Sequence, residues 1–226
     1  MTWIEDKLEE ETFTKDFFCN IGTVVHSVVQ KWLGLTAHLY GKWKCPVCNK
    51  IKHEGFGPVI CECKTLCEYE EYELNYNIIT GHCDGLFLIN NKFYVFELKT
   101  ISTNGINARI REGKPYYYHS NQANMYSLMC QKLKLPYPLI GNVIVYITRD
   151  NPFKFKAFAH EGINLKTVKE TLRDYKRATK MMDTGEFKNL TKQCAYYAES
   201  KDCPYKSICF KNNINETLKT FSDLKK

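Results

Sequence analysis

Two apolar runs flank the dipeptide Asn90-Asn91, and each carries one carboxylate toward its far end. Residues 81–89 read GHCDGLFLI and residues 93–99 read FYVFELK, with the aromatic and aliphatic content of buried strands. Asn tolerates positive φ, so Asn-Asn suits the two-residue type I′ turn of a β-hairpin. If Ile89 pairs with Lys92, the same register sets Asp84 opposite Glu97 and His82 opposite Lys99. Strand alternation then predicts that His82, Asp84, Glu97 and Lys99 share one face. Two opposed carboxylates on an otherwise apolar hairpin repel, and burying them unpaired is costly. A divalent cation between them removes that cost. Oxygen donors with open positions suit Mg²⁺ or Mn²⁺ held beside a substrate phosphate. Lys99, one step along the face, can orient or deprotonate an attacking water and offset phosphorane charge. A simple Glu97–Lys99 ion pair capping the strand end leaves Asp84 without a purpose.

Elsewhere the apolar periodicity predicts a helix over 20–40, with Ile21, Val24, Val25, Val28, Val29, Trp32 and Leu33 at helical spacings. Residues 68–77 read as a strand rich in Tyr and Glu, 142–147 as a buried strand and 154–159 as a half-exposed one. Residues 114–133 read as a loop followed by a helix, and 164–182 as an amphipathic basic helix. Strands alternating with long helices give an α/β class. At 226 residues and 44% hydrophobic content, the chain is expected to be one domain with an insertion.

Eleven cysteines need an explanation. The first 16 residues hold six acids against two lysines, the reverse of a signal or transit peptide, and no apolar run approaches the ~18 residues of a membrane span. The expected location is therefore cytoplasmic, where thiols stay reduced and metal binding is the leading use for them. Residues 41–68 hold five cysteines, three glycines and two prolines with little periodicity, which marks a small zinc-ribbon-like insert. Cys45-Pro46-Val47-Cys48 has knuckle spacing, and Cys61 and Cys63 are the expected second pair, with Cys67 the substitute. Four thiolates around Zn²⁺ can hold a segment too small for a core. Cys83 and Cys130 lie in apolar contexts and read as inert core residues.

The net charge of +7 is uneven, −5 over residues 1–98 and +12 over 99–226. A basic half suggests a polyanion partner, with DNA the expected one. Arg109, Arg111 and Lys114 next to Tyr116-Tyr117-Tyr118-His119 suit a groove that tracks a backbone and stacks unpaired bases. The stripe Lys166, Lys169, Arg173, Lys176, Arg177, Lys180 reads first as a solvated face.

Asp84 followed by Glu97-Leu98-Lys99 resembles the core of the PD-(D/E)XK nucleases, in which D and ExK flank a hairpin. Gly22-Thr23-Val24-Val25-His26 resembles the first motif of the RecB-type exonuclease branch, which includes CRISPR-associated and phage RecB-like exonucleases. Gln122-Ala123-Asn124-Met125-Tyr126 resembles that branch's QxxxY motif, whose two polar residues fall on one helix face. The motifs arrive in the family's order over about residues 19–210. The resemblance implies a restriction-endonuclease-like mixed central sheet flanked by helices and a metal-dependent DNA exonuclease. It implies His26 as a metal ligand with Asp84 and Glu97, and Gln122 and Tyr126 as residues that position substrate or Lys99. Working partners would be recombination or CRISPR-adaptation proteins.

The tail, residues 190–212, carries Cys194 and the stretch Cys203-Pro204-Tyr205-Lys206-Ser207-Ile208-Cys209. It resembles the C-terminal iron–sulfur motif of RecB-like nucleases, which implies a 4Fe–4S cluster on Cys19, Cys194, Cys203 and Cys209. The chain departs from that pattern at Ser200, where the family has a cysteine, and a second zinc site on the same thiolates is the alternative. Two other functional readings compete. One is a metal-stapled nucleic-acid-binding module without catalysis, and the other is an endonuclease acting on structured DNA.

Overall fold

The computed structural model describes residues 3–77 and 79–184. The tail motif with Cys194, Cys203 and Cys209 lies outside the described residues. The chain divides into two compact units, Met1–Lys169 and Glu170–Lys226, and the elements described next belong to the first.

Helix α1 (Trp3–Leu35) is followed by strands β1 (Leu39–Lys44) and β2 (Ile51–Phe56), which pair antiparallel with Tyr40 opposite Phe56. Strand β3 (Glu68–Glu70) pairs with the far half of β1. A separate hairpin of β4 (Tyr72–Tyr76) and β5 (Ile79–Cys83) comes next. Then β6 (Gly85–Ile89) and β7 (Lys92–Ile101) form the central hairpin. Helices α2 (Thr103–Glu112) and α3 (Tyr117–Cys130) lead to β8 (Leu139–Thr148) and β9 (Phe155–Glu161). The sheet order is β2-β1-β6-β7-β8-β9, with β7 and β8 parallel and the other pairs antiparallel. The last helix among the described residues, α4 (Leu165–Thr184), starts in the first unit and continues into the second.

Helices cover both faces of this mixed sheet. Val25, Val29 and Leu33 of α1 pack on Leu39, Phe96, Leu98 and Ile147. On the other face, Ile106 of α2 and Ala123 of α3 pack on Ile144 and Tyr146. Because side chains alternate along β7, Glu97 and Lys99 project to the side opposite Phe96 and Leu98, the side covered by α2 and α3. The architecture is the restriction-endonuclease-like α/β fold expected.

The central turn forms as its composition requires. Asn90 and Asn91 sit at φ of 50° and 57°, the two positive values of a type I′ turn. Ile89 pairs with Lys92 and Gly85 with Phe96, so the register is the one read from the turn.

Three expectations need correction. Residues 81–89 are not one strand: the ladder breaks at Asp84, and β5 leaves to pair with β4. His82 therefore faces Glu73 and is exposed, away from Lys99. The residues 68–77 break likewise, at Glu71. The helix over 20–40 instead spans Trp3–Leu35, and Leu39 and Tyr40 belong to β1, which the insert extends. The helix stops where Gly34 lies against the indole of Trp43, a contact so close that a Cβ there would lie 2.3 Å from the ring. Of the seven apolar residues at helical spacing, Val25, Val29 and Leu33 reach the core, whereas Val24, Val28 and Trp32 remain exposed.

Candidate metal-binding active site

Asp84 occupies the break between β5 and β6. Its Oδ2 accepts the backbone amide of Leu98 at 2.6 Å, and its own carbonyl accepts from Gln30 Nε2 at 3.1 Å. These two bonds turn the chain out of the hairpin and hold the carboxylate beside the end of β7. Its Oδ1 lies 3.4 Å from Nδ1 of His26 on α1. The hydrogen bond to Asp84 raises the His26 pKa against the effect of burial.

Glu97 is 1% exposed. Its Oε2 accepts from Lys99 Nζ at 2.7 Å, but its Oε1 is buried with no hydrogen-bond partner. Burial, reinforced by the charge of Asp84, pushes its carboxyl up to about 8. A buried carboxylate oxygen without a partner is an expensive feature, and a cation is the natural ligand for it.

The structure adds a carboxylate that sequence reasoning passed over. Glu71 sits at the other strand break, between β3 and β4, and its Oε1 accepts from Gln30 Nε2 at 3.0 Å. His26, Glu71 and Asp84 each offer a ligand atom within 4.8 Å of the others. Gln30 thus links two acids distant in sequence, a carboxylate and a main-chain carbonyl, through one amide nitrogen. The only local signal for Glu71 was its place in an acid-rich run, Glu68–Glu73, which reads equally as a solvated strand.

On α3, Gln122 Nε2 donates to the Tyr126 hydroxyl at 3.1 Å, and the Tyr126 ring lies over Gly81. The charges of Glu97 and Lys99 both act on that hydroxyl. His119, one turn earlier, stays neutral because burial and the Lys99 charge hold it down at about 4. Its Nδ1 lies 2.8 Å from the Tyr146 hydroxyl, which itself accepts the Tyr116 amide. Arg109 does not face an open groove. It is buried, paired with Glu112 at 2.8 Å and stacked 4.0 Å from the centre of the Tyr116 ring.

Among the described residues the cysteines fall into distinct settings. Cys45, Cys48, Cys61 and Cys63 bring their sulfurs within 4.8 Å of one another, with Cys48 and Cys61 3.8 Å apart. A tetrahedral ion with ~2.3 Å metal–sulfur bonds spaces its sulfurs by ~3.8 Å, so the group fits a closed thiolate site. The amides of Cys48 and Val47 hold the Cys45 thiol down at about 7. Cys67 is buried beside this group but not within it. Cys83 and Cys130 are fully buried, and Cys19 is exposed on α1.

A family model, the PD-(D/E)XK nuclease superfamily, matches residues 5–210. The chain belongs to this superfamily. No curated protein matches it. Among solved structures, the crystal structure of SSO0001 aligns with 89% of this chain and 79% of its own at 17% identity and a TM-score of 0.41. PD-(D/E)XK nucleases use divalent metals, and the residues present fit such an ion. An oxygen-rich donor set with one imidazole surrounds Asp84, and the free Oε1 of Glu97 supplies an acceptor that the protein leaves unused. Among the described residues, no helix is long and apolar enough to cross a membrane.

Proposed function

We propose that this PD-(D/E)XK protein is a Mg²⁺- or Mn²⁺-dependent deoxyribonuclease of the RecB type, acting as an exonuclease at DNA ends or on single strands. The observation that carries the reading is the buried Glu97 carboxylate, paired with Lys99 through one oxygen and unpartnered at the other, beside an Asp84–His26 pair. His26, Asp84 and Glu97 would hold the ion. Once bound, it would polarise the scissile phosphate and acidify a water. Lys99 orients that water and offsets charge growing on the phosphorane. Gln122 sets the Tyr126 hydroxyl, which positions substrate or Lys99. Tyr116 and Tyr118, stacked with centroids 5.4 Å apart, support a platform for unpaired bases.

Around this core we read residues 1–226 as a single nuclease domain with a zinc-binding insert at 41–68 held by Cys45, Cys48, Cys61 and Cys63. In the tail, 190–212, a 4Fe–4S cluster would join Cys19 to Cys194, Cys203 and Cys209. The setting is cytoplasmic DNA recombination, repair or CRISPR-type adaptation, with proteins of those processes as partners.

Cleavage of end-labelled single- and double-stranded DNA and of closed circles, with each metal, tests the activity. Loss of cleavage in D84A, E97A and K99A supports it, and unchanged cleavage in all three removes the site. Cutting of closed circles selects an endonuclease, and DNA retention without turnover selects a non-catalytic binding module. An absorption band near ~400 nm in anaerobically purified protein supports the cluster, whereas a colourless protein holding two zincs per chain rejects it.

A further inference from the structure

Beside the candidate metal site lies a cavity of about 530 Å³. That volume is within the roughly 300–1,000 Å³ of small-ligand sites. His26 and Glu71 form one part of its lining, Phe18, Cys19, Gly22 and Thr23 of α1 another, and Thr100 and Arg149 a third. We propose that this cavity is a second phosphate subsite, in which Arg149 binds a non-scissile phosphate of the substrate strand next to the one being cut. The proposal rests on the nuclease reading for the identity of that strand.

Three observations converge on it. First, Arg149 is an available cation. Among the described residues no carboxylate pairs with it, and the neighbouring Asp150 is occupied by the amide and hydroxyl of Thr103 at 2.7 and 2.8 Å. Second, Arg149, although exposed, is braced at both its side chain and its backbone. Its guanidinium lies 4.4 Å from the centre of the Phe18 ring, and its amide donates to Ile101 O at 3.0 Å, which ties the residue after β8 to the end of β7. A guanidinium preorganised on an aromatic face keeps its planar donor edge free for phosphate oxygens. Third, the wall that carries it is close to the metal-binding wall. Gly22, four residues before His26, approaches Thr100 so closely that a Cβ would lie 3.1 Å from the Thr100 hydroxyl. Thr100 directly follows Lys99, so the cavity opens from the end of the strand that carries Glu97 and Lys99.

A cation fixed here contacts phosphate and not base, so it adds affinity without sequence preference. It gives a strand of several nucleotides an advantage over a minimal diester, which has only the scissile phosphate.

The test compares wild type, R149A and R149K on an end-labelled single strand and on bis(p-nitrophenyl) phosphate, with Mn²⁺. In parallel, strand affinity is measured against salt with Ca²⁺ in place of Mn²⁺. Loss of one charge-assisted hydrogen bond should raise KM for the strand about tenfold in R149A, with kcat changing much less. The strand-over-diester preference should fall by a similar factor, and the salt slope of binding by about 1. R149K should recover the slope but only part of the KM, because lysine keeps the charge and loses the fork. An unchanged KM and slope in R149A would overturn the proposal, as would equal losses on both substrates. If the wild type cleaves neither substrate yet the Arg149-dependent slope is present, the nuclease reading fails and the subsite stands.

Discussion

The carboxylate of Asp84 accepts the amide of Leu98, the residue directly after Glu97, at 2.6 Å. One side chain therefore both ends a β-ladder and presents its second oxygen 3.4 Å from His26. Removing it should separate the two jobs. D84N keeps an acceptor for the amide and should fold with nearly wild-type stability while losing activity. D84A leaves a buried N–H unpaired and should cost about 1–3 kcal/mol in urea unfolding. Equal stability of the two variants would show that the Leu98 bond contributes nothing.

Glu71 and Gln30 make a second prediction. If the ion sits against His26 and Asp84, E71Q should weaken Mn²⁺ binding about tenfold or more, and Q30A by a similar or smaller factor, since outer partners of a metal site commonly matter by 10–100-fold. Titration followed by electron paramagnetic resonance of free Mn²⁺ reads this without reference to activity. Wild-type affinity in E71Q would place Glu71 outside the site.

The four-cysteine group predicts one metal ion that does not involve Cys67. C45S and C63S should each lose it, whereas C67S should keep it. The buried indole of Trp43 packs with Cys45, Cys61 and Cys67 and donates to Gly55 O at 3.0 Å, so its environment reports on the group. Chelation should shift Trp emission to the red in the wild type and in C67S. A metal content unchanged in C45S would refute the assignment.

His119 predicts a pH dependence. Its folded pKa is held at about 4, below the ordinary 6.5, chiefly by burial. The stability it contributes is fully present above pH 6.5 and is lost as pH falls from there toward 4, because the unfolded chain takes up the proton first. H119Q, which cannot titrate, should flatten the stability curve across that window in urea melts at successive pH values. A curve of the same slope in H119Q would assign the loss to other groups.

The central hairpin was legible because its determinants are local. Asn90 and Asn91 adopt the positive φ that their side chains permit, and the register of Gly85 on Phe96 follows from that turn alone. The knuckle spacing of Cys45 and Cys48 is likewise a property of a short loop. The placement of His82 was not legible. Nothing near it in sequence says that the strand would break two residues later, since the break is made by Leu98 and Gln30 from elsewhere in the chain. Strand β1 was hidden for a similar reason. Its short segment LYGKWK is defined by partners on both sides, β2 and then β6 or β3, and by the helix packed on Trp43.

By itself, then, the sequence determined the α/β class, the turn, its register and the Cys45–Cys48 knuckle, whereas the choice of Cys61 and Cys63 over Cys67 came from the structure. The tertiary structure decided which acids meet. Glu71 and Asp84 each interrupt what reads as a continuous strand, and one glutamine, 41 residues from the first and 54 from the second, bonds to both. Bonds across such separations form only after the helix and sheet have packed, so their convergence beside His26 is a property of the fold and leaves no periodic trace in the sequence.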